Sequence, residues 1–323
     1  MMFIERVKCP TCGNSSKITL LSIPFSNPEL LRWLNSYYRN RIPKGSLDGM
    51  DYILDQCAAC GLIWQRQVGD DDLLNSLYEI WIEPKDSQIY NEGRRSVQQA
   101  LAYVSEVVTV LSYLAINPKD ANFLDFGMGW GHWCQVAKSF GCQVYGADLS
   151  ESKMAQAHAN GIPMIDPFFL DSETYFDLIN TEQVFEHLAN PHRILTGLVR
   201  KLKPNGLLKI SVPNGTGMEK RVHRISWDVT PSSRPLLMPV QPLEHINCFH
   251  RKSLDIFAAS VGLVPAKIPL KYEFRYAANM SSLKNAARGL LGITYKNRLY
   301  PTYRFYRRGG VDHPFGHPQR GDG

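Results

Sequence analysis

The chain has 323 residues, 44% of them hydrophobic, and carries 36 Lys and Arg against 30 Asp and Glu. This length predicts about two domains of globular composition, which excludes a disordered, collagen-like or disulfide-dense chain. No run of about 18 apolar residues is present, and the N-terminus lacks the apolar stretch of a signal peptide, so neither a membrane span nor a leader is expected. With seven cysteines, we expect a cytoplasmic protein whose thiols stay reduced or bind metal.

The excess positive charge lies in residues 271–323, which hold ten Lys and Arg against three Asp and Glu, while the rest of the chain is slightly acidic. In this stretch Tyr295, Tyr300, Tyr303 and Tyr306 alternate with Lys and Arg. The pattern suits peripheral contact with a membrane surface, a clamp on an anionic acceptor, or a solvated end, and it leaves these three open.

Composition divides the chain into four regions. Residues 1–70 hold two Cys pairs, 71–117 predict a helical connector, 118–278 alternate strands and helices, and 279–323 form the basic, Tyr-rich tail. Within the connector, apolar residues recur at steps of three and four, which predicts one buried helical stripe formed by Val97, Leu101, Val104, Val108 and Leu111.

The elements of the third region follow in order. Strands are expected at 121–127, 143–149, 163–166, 175–185 and 207–214, and β-like runs at 263–268 and 271–277. Helices fill the intervals; Ser150 and Asn190-Pro191 supply helix starts, and a helix over 251–261 ends before Gly262. This alternation predicts a doubly wound, Rossmann-like α/β fold.

The first strand of this fold is followed by a glycine-rich turn. Gly127, Gly129 and Gly131 permit a sharp turn and close approach of a ligand to the backbone, although a plain strand-to-helix turn would also use them. The second strand ends in Asp148, where a carboxylate can accept hydrogen bonds from ribose hydroxyls. Loop and acid together predict a nucleoside site.

The loop reads GxGxG, with His132 where a dinucleotide fingerprint would have its third glycine, which disfavours a nicotinamide dehydrogenase. The chain here resembles the class I S-adenosylmethionine-dependent methyltransferases over about 150 residues. The matching stretches, in order, are LDFGMGWG, VYGADLS, FDLINTEQVFEHLANP, LVRKLKPNGLLKISVPN and EHINCFHRKSLDIFAASVGL.

The resemblance implies a seven-stranded sheet with an antiparallel last hairpin, and S-adenosyl-L-methionine as cofactor. It implies that Asp125 and the loop Gly127–Gly131 bracket the amino acid end of the cofactor and that Asp148 holds the ribose. It further implies contacts to the adenine and to the methionine portion from the residues that follow the next strands. These are Leu149, Asp166, Thr181 and Glu182, of which Asp166 is equally well explained as a turn residue before Pro167.

The cysteine pairs form two matched CxxCG knuckles. Cys9, Cys12, Cys57 and Cys60 supply four thiolates, the donor set of a structural zinc site with no open position for water; free or redox-active cysteines are the alternative. The isolated Cys134, Cys142 and Cys248 are interpreted as core thiols.

An N-terminal segment of this kind is similar to that of some methyltransferases of sugar and polysaccharide biosynthesis, where CxxCG pairs precede a phrase like CGLIWQRQVGDDDLLNSLY. Their deoxysugar C-methyltransferases also place a Glu-His pair after the fifth strand, as Glu244-His245 stands here. A Tyr usual shortly before that pair is absent, and about 50 residues are too few for their large C-terminal domain. Both departures argue against C-methylation.

Transfer to a hydroxyl needs a base, and the candidates are His187 and His245, oriented by Glu186 or Glu244. The alternative is that His187 packs at the end of the fourth strand and that His245 braces a loop. The segment 215–243 is expected to be a lid or an acceptor loop. Its basic residues would bind a diphosphate or an acidic sugar, or form a solvated face; they are Lys220, Arg221 and Arg224.

The favoured function is therefore methyl transfer to a sugar, nucleotide-sugar or surface polysaccharide hydroxyl. An RNA acceptor is the first alternative, disfavoured because the cysteine segment is not notably basic. A protein that binds the cofactor without turnover is the second. The acceptor's identity and the oligomeric state are left open.

Overall fold

The computed structural model of the chain describes residues 3–82, 97–166, 173–228, 234–269, 271–272 and 301–310. Its N-terminal strands form two small antiparallel sheets. They are β1 (Phe3–Glu5), β2 (Lys17–Pro24), β3 (Asp51–Cys57), β4 (Ile63–Gln65) and β5 (Gln67–Gly69). β1 pairs with β5, whereas β2, β3 and β4 form a meander.

Two capped helices accompany these strands. Helix α1 (Pro28–Tyr37) begins where the Asn27 side chain accepts hydrogen bonds from the amides of the first turn. Helix α2 (Asp71–Ser76) begins at Asp70, whose carboxylate accepts from the Leu73 amide, and continues into a π-helical turn over Leu77–Trp81. The apolar face of α1 packs with that turn into one core.

The remaining elements alternate as the sequence predicts. The helices are α3 (Val97–Leu114), α4 (His132–Ser139), α5 (Glu151–Ala159), α6 (Pro191–Lys201), α7 (Met218–Arg221), α8 (Arg234–Leu237) and α9 (Arg251–Ala259). The strands are β6 (Asn122–Phe126), β7 (Gln143–Ala147), β8 (Phe176–Glu182), β9 (Leu202–Ser211), β10 (Asn247–Cys248), β11 (Leu263–Pro265) and β12 (Tyr303–Arg308). Short 3-10 turns lie at Pro118–Asp120, Val222–Arg224 and Met238–Val240.

Six of these strands form the central sheet in the order β11-β12-β9-β8-β6-β7. The run from β9 to β7 is parallel, and β12 is antiparallel to both of its neighbours. β6 has β7 on one side and β8 on the other, so the strand order reverses at β6. The loop after β6 therefore opens at the crevice where such sheets bind ligands.

The sheet departs from the expected seven strands in two places. The third expected strand, 163–166, is reduced to a single parallel bridge between Gly146 and Met164. The expected last strand at 271–277 is not the partner of β11: Lys271–Tyr272 is helical, and 273–277 lies outside the described residues. The partner is β12, so residues 303–308 of the basic tail belong to the sheet and do not form a solvated end.

The buried face of α3 also differs from the predicted stripe. Val97 and Leu101 are 74% and 59% exposed, whereas Val107 and Val110 are fully buried. Leu111 of the predicted stripe is buried as expected, and the helix packs beside α4 with a buried face that also contains Val107 and Val110. Asn190 caps α6 as predicted. Cys134, Cys142 and Cys248 are buried, which confirms them as core thiols.

The N-terminal sheet and the α/β domain share a strand. β10 pairs with β4, so the loop that carries Glu244 and His245 leads directly into the N-terminal sheet. Among the described residues, no helix has the length and apolar character needed to cross a membrane.

Candidate active site and metal centre

The glycine loop after β6 is held against the end of β7. The amides of Gly127 and Met128 donate to the Ala147 carbonyl at 2.7 and 3.1 Å, and the Gly129 amide donates to the Asp148 carboxylate at 2.9 Å. All three loop glycines have positive φ. A Cβ on Gly127 would lie 2.3 Å from Val184, whereas one on Gly129 would meet nothing within 4 Å. The loop is thus closely packed against Val184 at Gly127 and open at Gly129, where a ligand could approach the backbone.

Asp148 and Leu149 border this open side. The two carboxylate oxygens of Asp148 accept from the Gly129 and Ser150 amides, which fixes the side chain and leaves further lone pairs for a ligand. Leu149 keeps 58% of its surface exposed, a large apolar side chain suited to one face of a flat ring. Asp166 is exposed beyond the Met164 bridge. Asp148 and Leu149 follow β7, and Asp166 follows the segment that bridges to β7, so all three stand at the sheet edge that carries the glycine loop.

Asp125, near the end of β6, is 3% exposed. Its carboxylate accepts from the Asn180 amide at 2.7 Å and from the Cys134 thiol at 3.4 Å. Burial raises the pKa of Asp125 to about 7, although both hydrogen bonds favour the ionised form. At neutral pH the Asp125 carboxyl is therefore about half protonated, and a nearby cation would favour loss of its proton.

Thr181 and Glu182, at the end of β8, take different roles. The Thr181 hydroxyl donates to the Lys209 carbonyl at 2.8 Å and is buried inside the sheet. Glu182 keeps 39% of its side chain exposed and forms a 3.0 Å ion pair with Lys209. Of the two, only Glu182 presents its functional group beside the crevice.

Lys209 is fully buried and bridges Glu182 to Glu106 of α3, at 2.9 Å. Glu106 also accepts from Trp133 of α4 and from the hydroxyl of Tyr303 in β12. Burial opposes the charge on Lys209, but the two carboxylates outweigh it and raise the pKa above its usual value. This buried network, which the sequence reasoning did not anticipate, joins the first helix and the last strand of the domain to the cofactor crevice.

The residues after β8 form the second half of the site. Gln183 has a φ of 56°, a strained turn that redirects the chain toward Glu186 and His187. The His187 Nδ1 lies 2.9 Å from both the Glu244 carbonyl and the Tyr78 hydroxyl. Because a carbonyl oxygen only accepts, we assign the imidazole hydrogen to Nδ1, which leaves the lone pair on Nε2.

The Glu244-His245 pair faces His187 across the crevice. Their loop also begins with a positive φ, 69° at Leu243. The His245 Nδ1 donates to the Met238 carbonyl, and the rings of His187 and His245 lie 4.8 Å apart at 71°. Burial lowers the pKa of His187 to about 3, with a contribution from His245, and that of His245 to about 4. Both imidazoles are therefore neutral, each with an unprotonated Nε2.

The Glu244 carboxylate is engaged by residues other than the two histidines. That carboxylate accepts from Tyr38 of the N-terminal region at 2.8 Å and from Gln241 at 2.7 Å. It anchors the loop, while its backbone carbonyl positions His187. The Glu186 carboxylate is instead the one beside an imidazole, 3.9 Å from the His187 Nε2.

The N-terminal region supplies much of this support. The buried Arg6 guanidinium donates to the carbonyls of Gln65 and Ile246 and to the Asn247 side chain. Asn247 in turn donates to the Phe185 and Leu188 carbonyls, on either side of Glu186 and His187. Tyr78, Tyr38 and Gln65 were missed by the sequence reasoning, since they lie about 110 to 200 residues from their partners and carry no local signal.

The four knuckle cysteines converge as the CxxCG spacing predicts. The Sγ atoms of Cys9 and Cys60 lie 3.6 Å apart, those of Cys12 and Cys57 3.5 Å apart, and all four within 4.8 Å. A zinc ion with bonds of about 2.3 Å needs sulfurs about 3.8 Å apart, so the set fits. Gly13 and Gly61 close both knuckles at positive φ, and no disulfide joins these thiols.

Residues 94–266, more than half of the chain, match a family model described as a methyltransferase domain. The chain belongs to this family. Its α/β region is a class I S-adenosylmethionine-dependent methyltransferase domain.

The curated relatives are ubiquinone biosynthesis O-methyltransferases. That of Maricaulis maris is 33% identical over 103 residues, which span 29% of this chain and 41% of the relative. That of Chelativorans sp. is 25% identical over 163 residues, 46% of this chain and 63% of the relative. The matches thus span between two fifths and two thirds of these relatives' lengths.

Solved methyltransferase structures are similar to the chain at low identity. The plantazolicin methyltransferase BamL, in complex with a triazolic desmethylPZN analogue and SAH, is 15% identical with a TM-score of 0.48, covering 72% of this chain and 92% of its own. CalS10, an amino pentose methyltransferase from Micromonospora echinaspora, is 18% identical with a TM-score of 0.33, covering 39% and 55%. Both TM-scores lie below 0.5, so neither likeness bears on the acceptor of this chain.

Proposed function

We propose that the protein transfers a methyl group from S-adenosylmethionine to a hydroxyl group of a sugar, a nucleotide-sugar or a surface polysaccharide. The observation that carries the proposal is the pairing of two sites on one edge of the sheet. The open glycine loop with Asp148 lies at the switch point, and the imidazole of His187, which follows the adjacent strand β8, contacts that of His245 from the loop before β10. A cofactor site and a proton acceptor are the two parts that O-methylation needs.

The geometry of the loop supports the following assignment of the cofactor contacts. Asp148 would accept from the ribose hydroxyls, Leu149 would cover the adenine, and Asp166 is assigned to its amine. Asp125 and Glu182 place carboxylates toward the amino acid end, where they would pair with the ammonium group. We assign Thr181 a supporting role through its hydrogen bond to the neighbouring strand.

We assign an imidazole as the base that removes the proton of the acceptor hydroxyl. As the acceptor oxygen attacks the methyl carbon, a C–O bond forms and the S–C bond breaks, its electrons remaining on sulfur. The Nε2 of His245 or His187 takes the hydroxyl proton, with Nδ1–H held by a backbone carbonyl. Tyr78, whose hydroxyl contacts His187, would fix the orientation of that ring.

An aromatic cluster adjoins Tyr38 in the sequence, and its exposed member Tyr37 would contact a ring-shaped acceptor. The rings of Trp33 and Tyr37 stack 5.1 Å apart, and Trp227 of the expected acceptor loop lies 6.0 Å from Trp33. Tyr37 is 40% exposed and precedes Tyr38, the anchor of Glu244. The names of the curated relatives support oxygen as the methylated atom. In segment 215–243, the Arg221 guanidinium, one of the expected acceptor-binding groups, donates to the backbone carbonyls of Thr216 and Gly217.

A structural zinc ion at the four cysteines is part of the proposal. Its support is the match between the sulfur spacing and a four-thiolate tetrahedron. The ion would fix β3 and β4, and through β10 the loop of Glu244 and His245.

Two measurements test the function. Calorimetry should give binding of S-adenosylhomocysteine that Asp148→Ala abolishes and His245→Ala preserves. Mass spectrometry of a panel of nucleotide-sugars, a phenolic acceptor and tRNA with labelled cofactor should then give label on a sugar, with transfer slowed by His245→Ala.

Other outcomes of the same measurements would reject the proposal. Binding of NAD in place of S-adenosylhomocysteine, or equal affinity in wild type and Asp148→Ala, would remove the cofactor assignment. Label found only on tRNA would replace the acceptor class. Cofactor binding without transfer to any member of the panel would favour a non-catalytic protein.

A further inference from the structure

Glu186 is an unusual buried carboxyl. It is 1% exposed, yet neither carboxylate oxygen has a hydrogen-bond partner. No other side chain in the described ranges leaves two buried polar atoms without a partner. A buried, unpaired carboxylate costs several kcal/mol, so a native protein that keeps one supplies a proton or a cation.

Two imidazole nitrogens face this carboxyl. The His187 Nε2 lies 3.9 Å from a Glu186 oxygen, and ligand atoms of Glu186, His187 and His245 all lie within 4.8 Å of one another. The Nδ1 of each histidine is held by a backbone carbonyl, so the Nε2 lone pairs remain free to coordinate. Metal-binding histidines are commonly oriented in this way by a hydrogen bond from the other ring nitrogen.

We propose that Glu186, His187 and His245 bind a divalent transition-metal ion such as Mn²⁺ or Zn²⁺, which holds the acceptor hydroxyl. This rests on the O-methyl transfer proposed above and replaces its imidazole base with a metal-bound hydroxyl. Two imidazoles and one carboxylate form the donor set of catalytic zinc and non-haem iron sites, with positions left open for substrate. Mg²⁺, which favours all-oxygen coordination, fits this set less well.

The geometry requires a modest closure. Bonds of about 2.1 Å place donors about 3 to 3.6 Å apart, so the side chains would move inward by about 1 Å from their present spacing. The backbone need not move, because the Glu186 carbonyl is held by the Asn247 amide at 3.0 Å and the His187 amide by Val184. The ion would compensate the buried carboxylate and connect it to both rings.

With the ion bound, both Nε2 atoms are ligands and no longer proton acceptors. The acceptor hydroxyl occupies an open position, where the ion lowers its pKa, and its proton leaves to water. The resulting oxygen anion forms the C–O bond as the S–C bond breaks and the electron pair stays on sulfur. Charge balances because the sulfonium becomes a neutral thioether while the anion becomes an ether.

The test measures ion binding apart from activity. Full-length protein with its cysteine sites filled with zinc is titrated with Mn²⁺ by calorimetry and electron paramagnetic resonance, with S-adenosylhomocysteine present. Mn²⁺ is chosen because thiolate sites bind it weakly. We expect one Mn²⁺ per chain, at least tenfold weaker binding in Glu186→Gln and His245→Ala, and no change in Asp120→Asn, which removes an exposed carboxylate.

Thermal unfolding identifies a folding defect. In metal-free buffer, Glu186→Gln should unfold at or above the wild-type temperature, because it removes an ionisable buried group, and Mn²⁺ should raise the midpoint of wild type only. If Glu186→Gln unfolds at a lower temperature than wild type, the Mn²⁺ affinity of His245→Ala alone tests the metal site. No saturable Mn²⁺ site, or equal affinity in wild type and both variants, overturns the metal site. If wild type in chelator still binds S-adenosylhomocysteine and transfers methyl groups, the methyltransferase proposal is unaffected. If wild type does not bind S-adenosylhomocysteine at all, the methyltransferase proposal itself is rejected.

Discussion

The substitution Lys209→Met tests the buried ion network of the domain. The Lys209 side chain has no exposed surface and meets the carboxylates of Glu106 and Glu182 at 2.9 and 3.0 Å, while Glu106 is only 6% exposed. Methionine matches the length of lysine but leaves Glu106 buried without its cation. Removing one partner of a buried ion pair costs about 3 to 5 kcal/mol, a decrease of about two to four powers of ten in the folding equilibrium constant.

The same strand supplies a matched control. Lys203 also forms a 2.7 Å ion pair, with Asp177, but keeps 33% of its side chain exposed. Solvent screens this pair, so Lys203→Met should cost less than about 1 kcal/mol. The two variants share residue type, strand and substitution, and they differ in burial.

The assay is urea unfolding at constant zinc, followed by tryptophan fluorescence, which includes Trp133 beside Glu106. We expect Lys209→Met to lower the free energy of unfolding several-fold more than Lys203→Met. The double variant Glu106→Gln with Lys209→Met should recover part of the loss, because it removes the stranded charge as well. Equal losses at Lys203 and Lys209, or a double variant less stable than Lys209→Met, would refute the assigned energetics.

Three further predictions concern other parts of the molecule. Because burial places the pKa of Asp125 at about 7, the affinity for S-adenosylhomocysteine should fall as pH is lowered from 7.5 to 5.5, and calorimetry on Asp125→Asn should show a flat profile. Substituting Cys60→Ser should release zinc, measured by a metal dye, and slow methyl transfer more than it weakens cofactor binding, whereas Cys142→Ser should do neither. Tyr306→Ala should lower the free energy of unfolding by about 3 to 5 kcal/mol, against less than about 1 kcal/mol for the half-exposed Tyr175→Ala; similar losses would contradict a structural role for β12.

Features encoded by short stretches of chain could be predicted from the sequence. The glycine loop, the Asn190 cap and the convergence of the CxxCG knuckles depend on turn chemistry within a few residues. The parallel core from β6 to β9 follows from the alternation of strands and helices. These patterns are local, and local propensity and periodicity determine them.

The Lys209 network shows why other features could not be predicted. Lys209 and Glu106 are 103 residues apart, and nothing in the sequence near either residue indicates a partner. The N-terminal part of the α3 stripe, Val97 and Leu101, was misassigned for the same reason, whereas Leu111 is buried as predicted. The apolar residues of α3 allow more than one stripe, and the position of the sheet selects the one that contains Val107 and Val110.

By itself, then, the sequence determined the methyltransferase domain, the position of its glycine loop and the meeting of the four cysteines. Only the tertiary structure decided that β12 from the basic tail completes the sheet and that Tyr38 and Tyr78 reach Glu244 and His187. It also brought Glu186, His187 and His245 together. The physical reason is that a turn depends on its own residues, whereas a buried charge or an edge strand is satisfied by whichever distant segment packs against it.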